Sequence, residues 1–241
     1  MEELKDVPAD KLPKHIGLIL DGNRRWAKKN MLEANVGHLI GYENLKDRLF
    51  DFFDAGVHYL SIYALSLENA RKRSVDELRY IFKIILKAVD TVISESTVRE
   101  EKVKFSVIGR VHLLPEDVQE KIKELIEFTK DHNQNFINLC IMYDGQEEIV
   151  DAVKKITDDK LKSEDITRDL VKSYLYTKNF PELDYIIRTG MEDGARISGF
   201  LLWDASYAEF KFRTDLWPDY NKEMIIEDIK DYLNRNRRKG K

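Results

Sequence analysis

The chain predicts an α/β fold: a single domain, residues 1–241, with a central mostly parallel sheet of about six strands flanked by helices. Three observations predict it. Short apolar runs of strand length alternate with longer segments of helical period. No internal repeat or low-complexity linker divides the chain. Its 241 residues suit one large domain that can bury a core without disulfides or structural metals.

The strand-like runs, in order, are His15–Asp21, Val57–Tyr63, Val103–Ile108, Phe136–Tyr143, Asp184–Arg188 and Ala208–Phe212. Helical patterns lie at Gly37–Ala55, Val75–Ser94, Pro115–Asp131 and Gln146–Thr157, and a last one runs from Lys222 to Asn234. Right-handed crossovers place the C-terminal ends of such strands on one edge, where open α/β sheets bind ligands. The residues that follow the strands suit that use. The first strand leads into Asp21-Gly22-Asn23-Arg24-Arg25-Trp26 and the second into Ser66-Leu67-Glu68-Asn69. The fourth ends in Tyr143-Asp144-Gly145 and the fifth in Arg188-Thr189-Gly190.

Composition narrows the function classes. A net charge of -4 gives no global sign of a nucleic-acid binder. The one cysteine, Cys140, sits in the run Phe136–Met142 and reads as a buried strand residue. A lone cysteine excludes a disulfide within the chain, which fits a reducing cytoplasm. No apolar stretch reaches the length of a membrane span, and Met1–Pro13 has no signal-peptide core. A cytoplasmic protein is expected, with the membrane surface within reach of an apolar ligand.

Asp21, at the mouth of an apolar strand and before a glycine, suits a metal or phosphate site; capping the next helix is the equal alternative. An aspartyl-phosphate enzyme usually shows Asp-x-Asp there, and this chain has Asn23. No dinucleotide fingerprint or Walker loop follows the first strand. Phosphate binding therefore falls to Arg24, Arg25, Arg188 and Arg196, whose planar forks grip two oxygens at once, and to helix N-termini. His38, in Gly37-His38, reads on its own as a helix-end hydrogen bonder. No His-x-x-x-His or Cys-rich cluster exists, so zinc is not expected. Mg²⁺ fits better, because one or two carboxylates plus substrate phosphates hold it. Glu209 is a second candidate carboxylate. The helix Val75–Ser94 carries Leu78, Phe82, Ile85, Leu86 and Val89 on one face, as core packing or as the wall of an apolar tunnel.

Taken together, the motifs resemble the cis-prenyltransferase family, on the side of its archaeal and eukaryotic members. The resemblance runs from about Pro13 to Gly240. It rests on Asp21–Ala27, Gly37-His38, Ser66–Asn69, Asp184–Gly190, Arg196–Ser198, Phe200–Trp203 with Ala208-Glu209, Trp217–Asp219 and Arg238–Gly240. It implies an enzyme that joins isopentenyl diphosphate to an allylic prenyl diphosphate with Mg²⁺, making a precursor of a glycan-carrier lipid. It implies Asp21 as the essential aspartate at metal and allylic diphosphate, and Gly22, Asn23, Arg24 and Arg25 as the diphosphate loop, with Trp26 beside it. His38, Ser66 and Asn69 match residues of diphosphate departure and proton movement. Arg188, Arg196 and Ser198 match the clamp on isopentenyl diphosphate, and Glu209 matches a second metal carboxylate. It further implies a homodimer in which Arg238 and Gly240 reach the neighbouring site, with peripheral membrane contact through the lipid product. Departures from bacterial members are Arg24 in place of Gly, Ala34 in place of Arg, and Ala70 in place of an aromatic residue. The stretch Ala70–Ser74 is one residue longer, which leaves Arg71, Lys72 and Arg73 as candidates for the replacement basic residue, with Arg73 favoured. Two alternatives stay within the resemblance. One is a member with an unusual acceptor or coupling pattern. The other is a non-catalytic partner subunit, which Asp21, Asn23 and Glu209 argue against.

Overall fold

The computed structural model describes residues 2–235. Six strands form one sheet: β1 (His15–Ile19), β2 (Tyr59–Ser66), β3 (Val103–Ile108), β4 (Asn135–Tyr143), β5 (Tyr185–Arg188) and β6 (Glu209–Phe212). Their order is β3-β4-β2-β1-β5-β6, and every neighbouring pair is parallel. The long helices are α2 (Ala34–Asp54), α4 (Val75–Ser94), α6 (Glu116–Thr129), α7 (Gly145–Asp158) and α9 (Lys222–Leu233). The short ones are α1 (Asn23–Lys29), α3 (Leu67–Lys72), α5 (Ser96–Glu100) and α8 (Arg168–Tyr174).

All six expected strands and five expected helices are present; β3 and α4 keep their expected bounds, and the others have shifted ends. β1 stops at Ile19, so Asp21 lies beyond the strand, and β2 runs on to Ser66. The four short helices have 5 to 7 residues, too few for a periodic apolar signal. Caps start the longer ones where the sequence allows. Ser74 accepts from the Glu77 N–H at the head of α4, Asp144 from Gln146 and Glu147 in α7, and Asn221 from Met224 in α9.

Strand alternation divides the core into two faces. Ile16, Leu18, Leu60 and Ile62 pack against Phe52 and Phe53 of α2, Val89 of α4 and Ile225 and Ile229 of α9. The opposite face buries Tyr63, Cys140 and Ile186 with Phe200 and Leu201. This second face also carries a buried polar chain. His15 Nδ1 lies 2.8 Å from Pro181 O, which can only accept, so Nδ1 carries the proton. His15 Nε2 then accepts from Ser61 Oγ at 2.8 Å, and Ser61 in turn accepts from Asn138 Nδ2 at 3.1 Å. Burial pushes the His15 pKa down to about 4, against the opposing Pro181 hydrogen bond.

The chain leaves β1 toward β2 and leaves β5 toward β6, in opposite directions along the sheet. Right-handed crossovers put those two connections on opposite faces. A crevice therefore opens between the C-terminal ends of β1 and β5, the switch point at which doubly wound sheets take ligands.

Candidate active site

Asp21 and Arg188 meet at this switch point. Arg188 ends β5 and is only 6% exposed. Its Nη2 donates to Asp21 Oδ2 at 2.9 Å, and its Nη1 donates to Ser198 Oγ at 2.8 Å and to Arg196 O at 2.9 Å. Its Nε is buried without a partner among the described residues. Arg25 approaches from α1, donating to Asp21 Oδ1 at 3.2 Å and to Gly190 O at 2.5 Å. The backbone of Asp21 is pinned as firmly: its carbonyl accepts from Thr189 Oγ1 at 2.8 Å and from the Trp217 N–H at 3.0 Å.

The loop geometry explains two glycines. Gly22 stands at φ 116°, where a side chain is strained, and turns the chain from β1 into α1. At Gly37 a Cβ would stand 2.2 Å from Asn23 O, so only glycine lets α2 pack on the Asp21 loop. The first N–H groups of α1 have no partner inside the helix, which leaves donors beside Asp21.

A second charged cluster faces the first. Glu77, on the first turn of α4, is largely buried, and its Oε1 lies 2.9 Å from His38 Nε2, 3.4 Å from Arg73 Nε and 3.9 Å from Arg24 Nε. Burial works to raise the Glu77 pKa, but the His38 hydrogen bond, Arg73 and Arg24 outweigh it and hold the carboxyl below its ordinary value. Burial likewise lowers His38, against the Glu77 hydrogen bond. A neutral His38 donates Nε2–H to the Glu77 carboxylate, which leaves the Nδ1 lone pair free.

Both clusters stand at the mouth of one cavity of about 1290 Å³. Asp21, Arg188, Ser66 and Asn69 line it, and its inner wall is apolar, formed by residues such as Ile85, Val89, Phe105 and Leu139. The arrangement pairs anion-binding cations and the Asp21 carboxylate with an apolar interior.

Comparison with known proteins decides the family. The family model described as "Putative undecaprenyl diphosphate synthase" matches residues 19–240. The chain is 39% identical over 243 residues to the tritrans,polycis-undecaprenyl-diphosphate synthase (geranylgeranyl-diphosphate specific) of Methanocaldococcus jannaschii, covering 98% of this chain and 85% of that one. It is 38% identical to the isoprenyl transferase of Clostridium tetani, covering 96% and 90%. The crystal structure of lavandulyl diphosphate synthase from Lavandula x intermedia, in complex with dimethylallyl diphosphate, superposes with a TM-score of 0.88 at 28% identity, covering 96% of this chain and all of that one. The chain belongs to the undecaprenyl diphosphate synthase family of prenyltransferases.

The fold brings together most of the residues that the prenyltransferase resemblance singled out. Gly22, Asn23, Arg24, Arg25, His38 and Arg73 all line the cavity, and so does Ser198. Three do not. Trp26 turns aside and donates Nε1–H to Asp219 at 2.6 Å. Arg196 is exposed, with Nη1 directed to Asp193 O at 3.3 Å, so its backbone rather than its guanidinium meets Arg188. Glu209 needs a correction. It opens β6 opposite Tyr185, whereas Phe212, at the other end of β6, is level with Arg188. The length of the strand therefore separates Glu209 from Asp21 within one chain, and Glu209 pairs with Arg235 at 2.9 Å instead. Arg238 and Gly240 lie outside the described residues.

Two residues escaped the sequence reading. Glu77 was visible only as the last position of Ser74-x-x-Glu77, a capping-box pattern, which says nothing of His38 or Arg73. Thr189 was noted only as part of a motif, although its hydroxyl holds the Asp21 carbonyl.

Proposed function

We propose that the protein is a cis-prenyltransferase that condenses isopentenyl diphosphate onto an allylic prenyl diphosphate, making a longer polyprenyl diphosphate of the glycan-carrier kind. The observation that carries this reading is the single cavity in which the Asp21–Arg188 pair stands over an apolar interior. A ligand with a charged diphosphate head and a long hydrocarbon tail matches both parts.

In this reading Arg188 and Ser198 hold one diphosphate, with the buried Arg188 Nε–H as a further donor. Arg24, Arg25, Arg73 and the open N–H groups of α1 hold the other. Fixing both heads aligns the isopentenyl double bond with the allylic carbon, which turns a bimolecular step into an oriented one. The apolar wall keeps water from the carbon that gains positive charge. Proton movement falls to His38, Ser66 and Asn69 at the cavity mouth.

The donor set suits Mg²⁺. Among the described residues no group of three or more His, Cys, Asp or Glu could enclose a metal, which fits a cation held by one carboxylate and substrate oxygens. Asp21 accepts one guanidinium hydrogen bond on each oxygen and keeps lone pairs for a cation. When bound, Mg²⁺ would neutralise the departing diphosphate.

The test is incubation with labelled isopentenyl diphosphate and a panel of allylic starters, followed by product mass. The name of the M. jannaschii relative makes geranylgeranyl diphosphate the first starter to try. Absence of chain extension with every starter, in the presence of Mg²⁺, would overturn the proposal. We take the working unit as a homodimer in which Arg238 and Gly240 complete the neighbouring site. Mixing a chain that lacks residues 237–241 with an Asp21→Ala chain should then restore activity once subunits exchange.

A further inference from the structure

α1 does not end as its sequence would suggest. Leu32 N–H bonds Ala27 O at 2.8 Å and Met31 N–H bonds Lys28 O at 3.1 Å, the Schellman arrangement. The residue that must then turn left-handed is Met31, at φ 57°. Glycine or asparagine normally takes that position, because a Cβ is disfavoured there. The side chain placed there is 94% exposed, and Leu32 beside it is 44% exposed. The fold therefore carries a strained backbone position whose effect is to hold an unbranched apolar side chain out in solvent.

The segment leading into this knuckle is basic, and Glu33 follows it. From Arg24 to Leu32 the chain has four basic residues and no acidic one, against a net charge of -4 for the whole protein. Arg24 and Arg25 face Glu77 and Asp21, but Lys28 and Lys29 are exposed and form no ion pair with a described residue. Lys28, Met31 and Leu32 all line the mouth of the cavity. Lys72, at the end of α3, lines the same cavity.

We propose that this rim is a docking surface for an anionic lipid bilayer, with Met31 and Leu32 entering the headgroup layer and Lys28 and Lys29 meeting the lipid charges. The inference rests on the prenyltransferase reading, since a long polyprenyl chain must pass from the cavity to a lipid phase. Charge complementarity selects the occupant: basic residues meet anionic headgroups while apolar side chains enter the interface. The shape agrees. Met31 stands almost wholly in solvent, so its side chain can enter a headgroup layer without a matching pocket.

The experiment is flotation of the full chain with vesicles of phosphatidylcholine alone and of phosphatidylcholine with phosphatidylglycerol. The protein should float with the anionic vesicles, less with the neutral ones, and less again as salt rises. Lys28→Ser and Lys29→Ser should each weaken binding about fivefold. Met31→Gly should weaken it roughly tenfold, from loss of one inserted side chain. That variant also separates binding from folding, because glycine suits φ 57° and its melting temperature should not fall. Val150→Ser and Val153→Ser, at exposed apolar positions on α7, should bind as the unsubstituted chain does. No flotation with anionic vesicles, or equal flotation of Met31→Gly and the two lysine variants, would overturn the proposal. Flotation requires no turnover, so failure of prenyl transfer in the starter panel reads separately from failure of docking.

Discussion

Arg188 Nη2 donates to Asp21 Oδ2 at 2.9 Å, joining the ends of β5 and β1 across the switch point of the sheet. The two strands are neighbours, with Ile19 level with Arg188, so the pair closes the crevice where their connections diverge. Arg188 is nearly sealed from water, while the Asp21 side chain is 36% exposed. The guanidinium is thus fixed by the fold, and the carboxylate is the partner that meets incoming ligands.

Replacing Asp21 should separate activity from stability. Asp21→Ala removes the carboxylate that we propose holds Mg²⁺, and turnover should fall by orders of magnitude. It also takes a charged partner from Arg188, worth roughly 1.5–3 kcal/mol. Water can reach the gap, so the variant should fold with a modestly lower melting temperature. A folded Asp21→Ala enzyme with near-normal kcat would remove Asp21 from the site.

Arg188→Lys should rescue poorly. Arg188 reaches Asp21, Ser198 and the Arg196 carbonyl with two nitrogens of one rigid fork, and a lysine ammonium cannot span them. The expected loss is ten- to a hundredfold in kcat/KM for isopentenyl diphosphate. Steady-state kinetics of Arg188→Lys beside Arg188→Ala measure it, and equal kinetics to the unsubstituted chain would contradict the clamp.

Glu77 should act through its neighbours. It touches His38 and Arg73, and both line the cavity. Glu77→Ala frees both, whereas Glu77→Gln keeps a hydrogen-bond acceptor for His38 and removes the charge facing Arg73. Activity should fall in both, with partial recovery in Gln. Burial keeps His38 neutral against the pull of the Glu77 carboxylate, so losing that charge should lower the His38 pKa further and move the acid limb of the pH–rate profile to lower pH in both variants. An unchanged profile with lower stability would make Glu77 purely structural.

How far the sequence carried this site depends on the reach of each signal. Asp21, Ser66 and Arg188 were legible because a parallel sheet puts strand ends on one edge, and strand ends are local features. Glu209 owed its place to the family resemblance, since the strand Ala208–Phe212 already put it at the start of β6, at the end away from Asp21 within one chain. Glu77 was hidden because its partners stand 39 residues away at His38 and on the far side of a helix cap at Arg73. The sheet was legible from its inner strands, since β1, β2 and β5 are near-continuous apolar runs, as burial on both faces requires, while the edge strands β3 and β6 alternate. α1 and α3, which carry the diphosphate-loop residues, were too short to give a period.

His15 makes stability depend on acid. Its folded pKa is about 4, below the ordinary 6.5, because it is buried and neutral between Pro181 and Ser61. The unfolded chain therefore binds a proton that the folded chain refuses. This contribution is whole above pH 6.5 and is lost as pH falls toward 4, by about 3 kcal/mol. Urea titrations at pH 7 and pH 4.5 measure it. His15→Gln, which does not titrate, should show a smaller difference between the two conditions. An identical difference would assign the acid sensitivity to other groups.

Product length should respond to α4 at particular positions. The apolar face of this helix divides: Ile81, Ile84, Ile85, Ala88 and Val89 line the cavity, while Leu78 and Phe82 are not in its wall and pack against the cluster that holds Leu114 and Val118. Ile85 also touches that second cluster, so it is a poor probe. Ala88 is the better one, since its small side chain leaves space that a growing tail would occupy. Ala88→Phe adds a ring to the cavity wall, and the tail should meet it sooner. The product distribution should shift to shorter chains, with initial condensation rates little changed because the diphosphate groups at the mouth are untouched. Phe82→Leu serves as the control: it alters packing outside the cavity and should lower stability by about 1 kcal/mol without moving the distribution. Mass analysis of products from both variants, with the same starter and isopentenyl diphosphate in excess, decides the matter. Equal distributions from Ala88→Phe and the unsubstituted chain would show that α4 does not set the length.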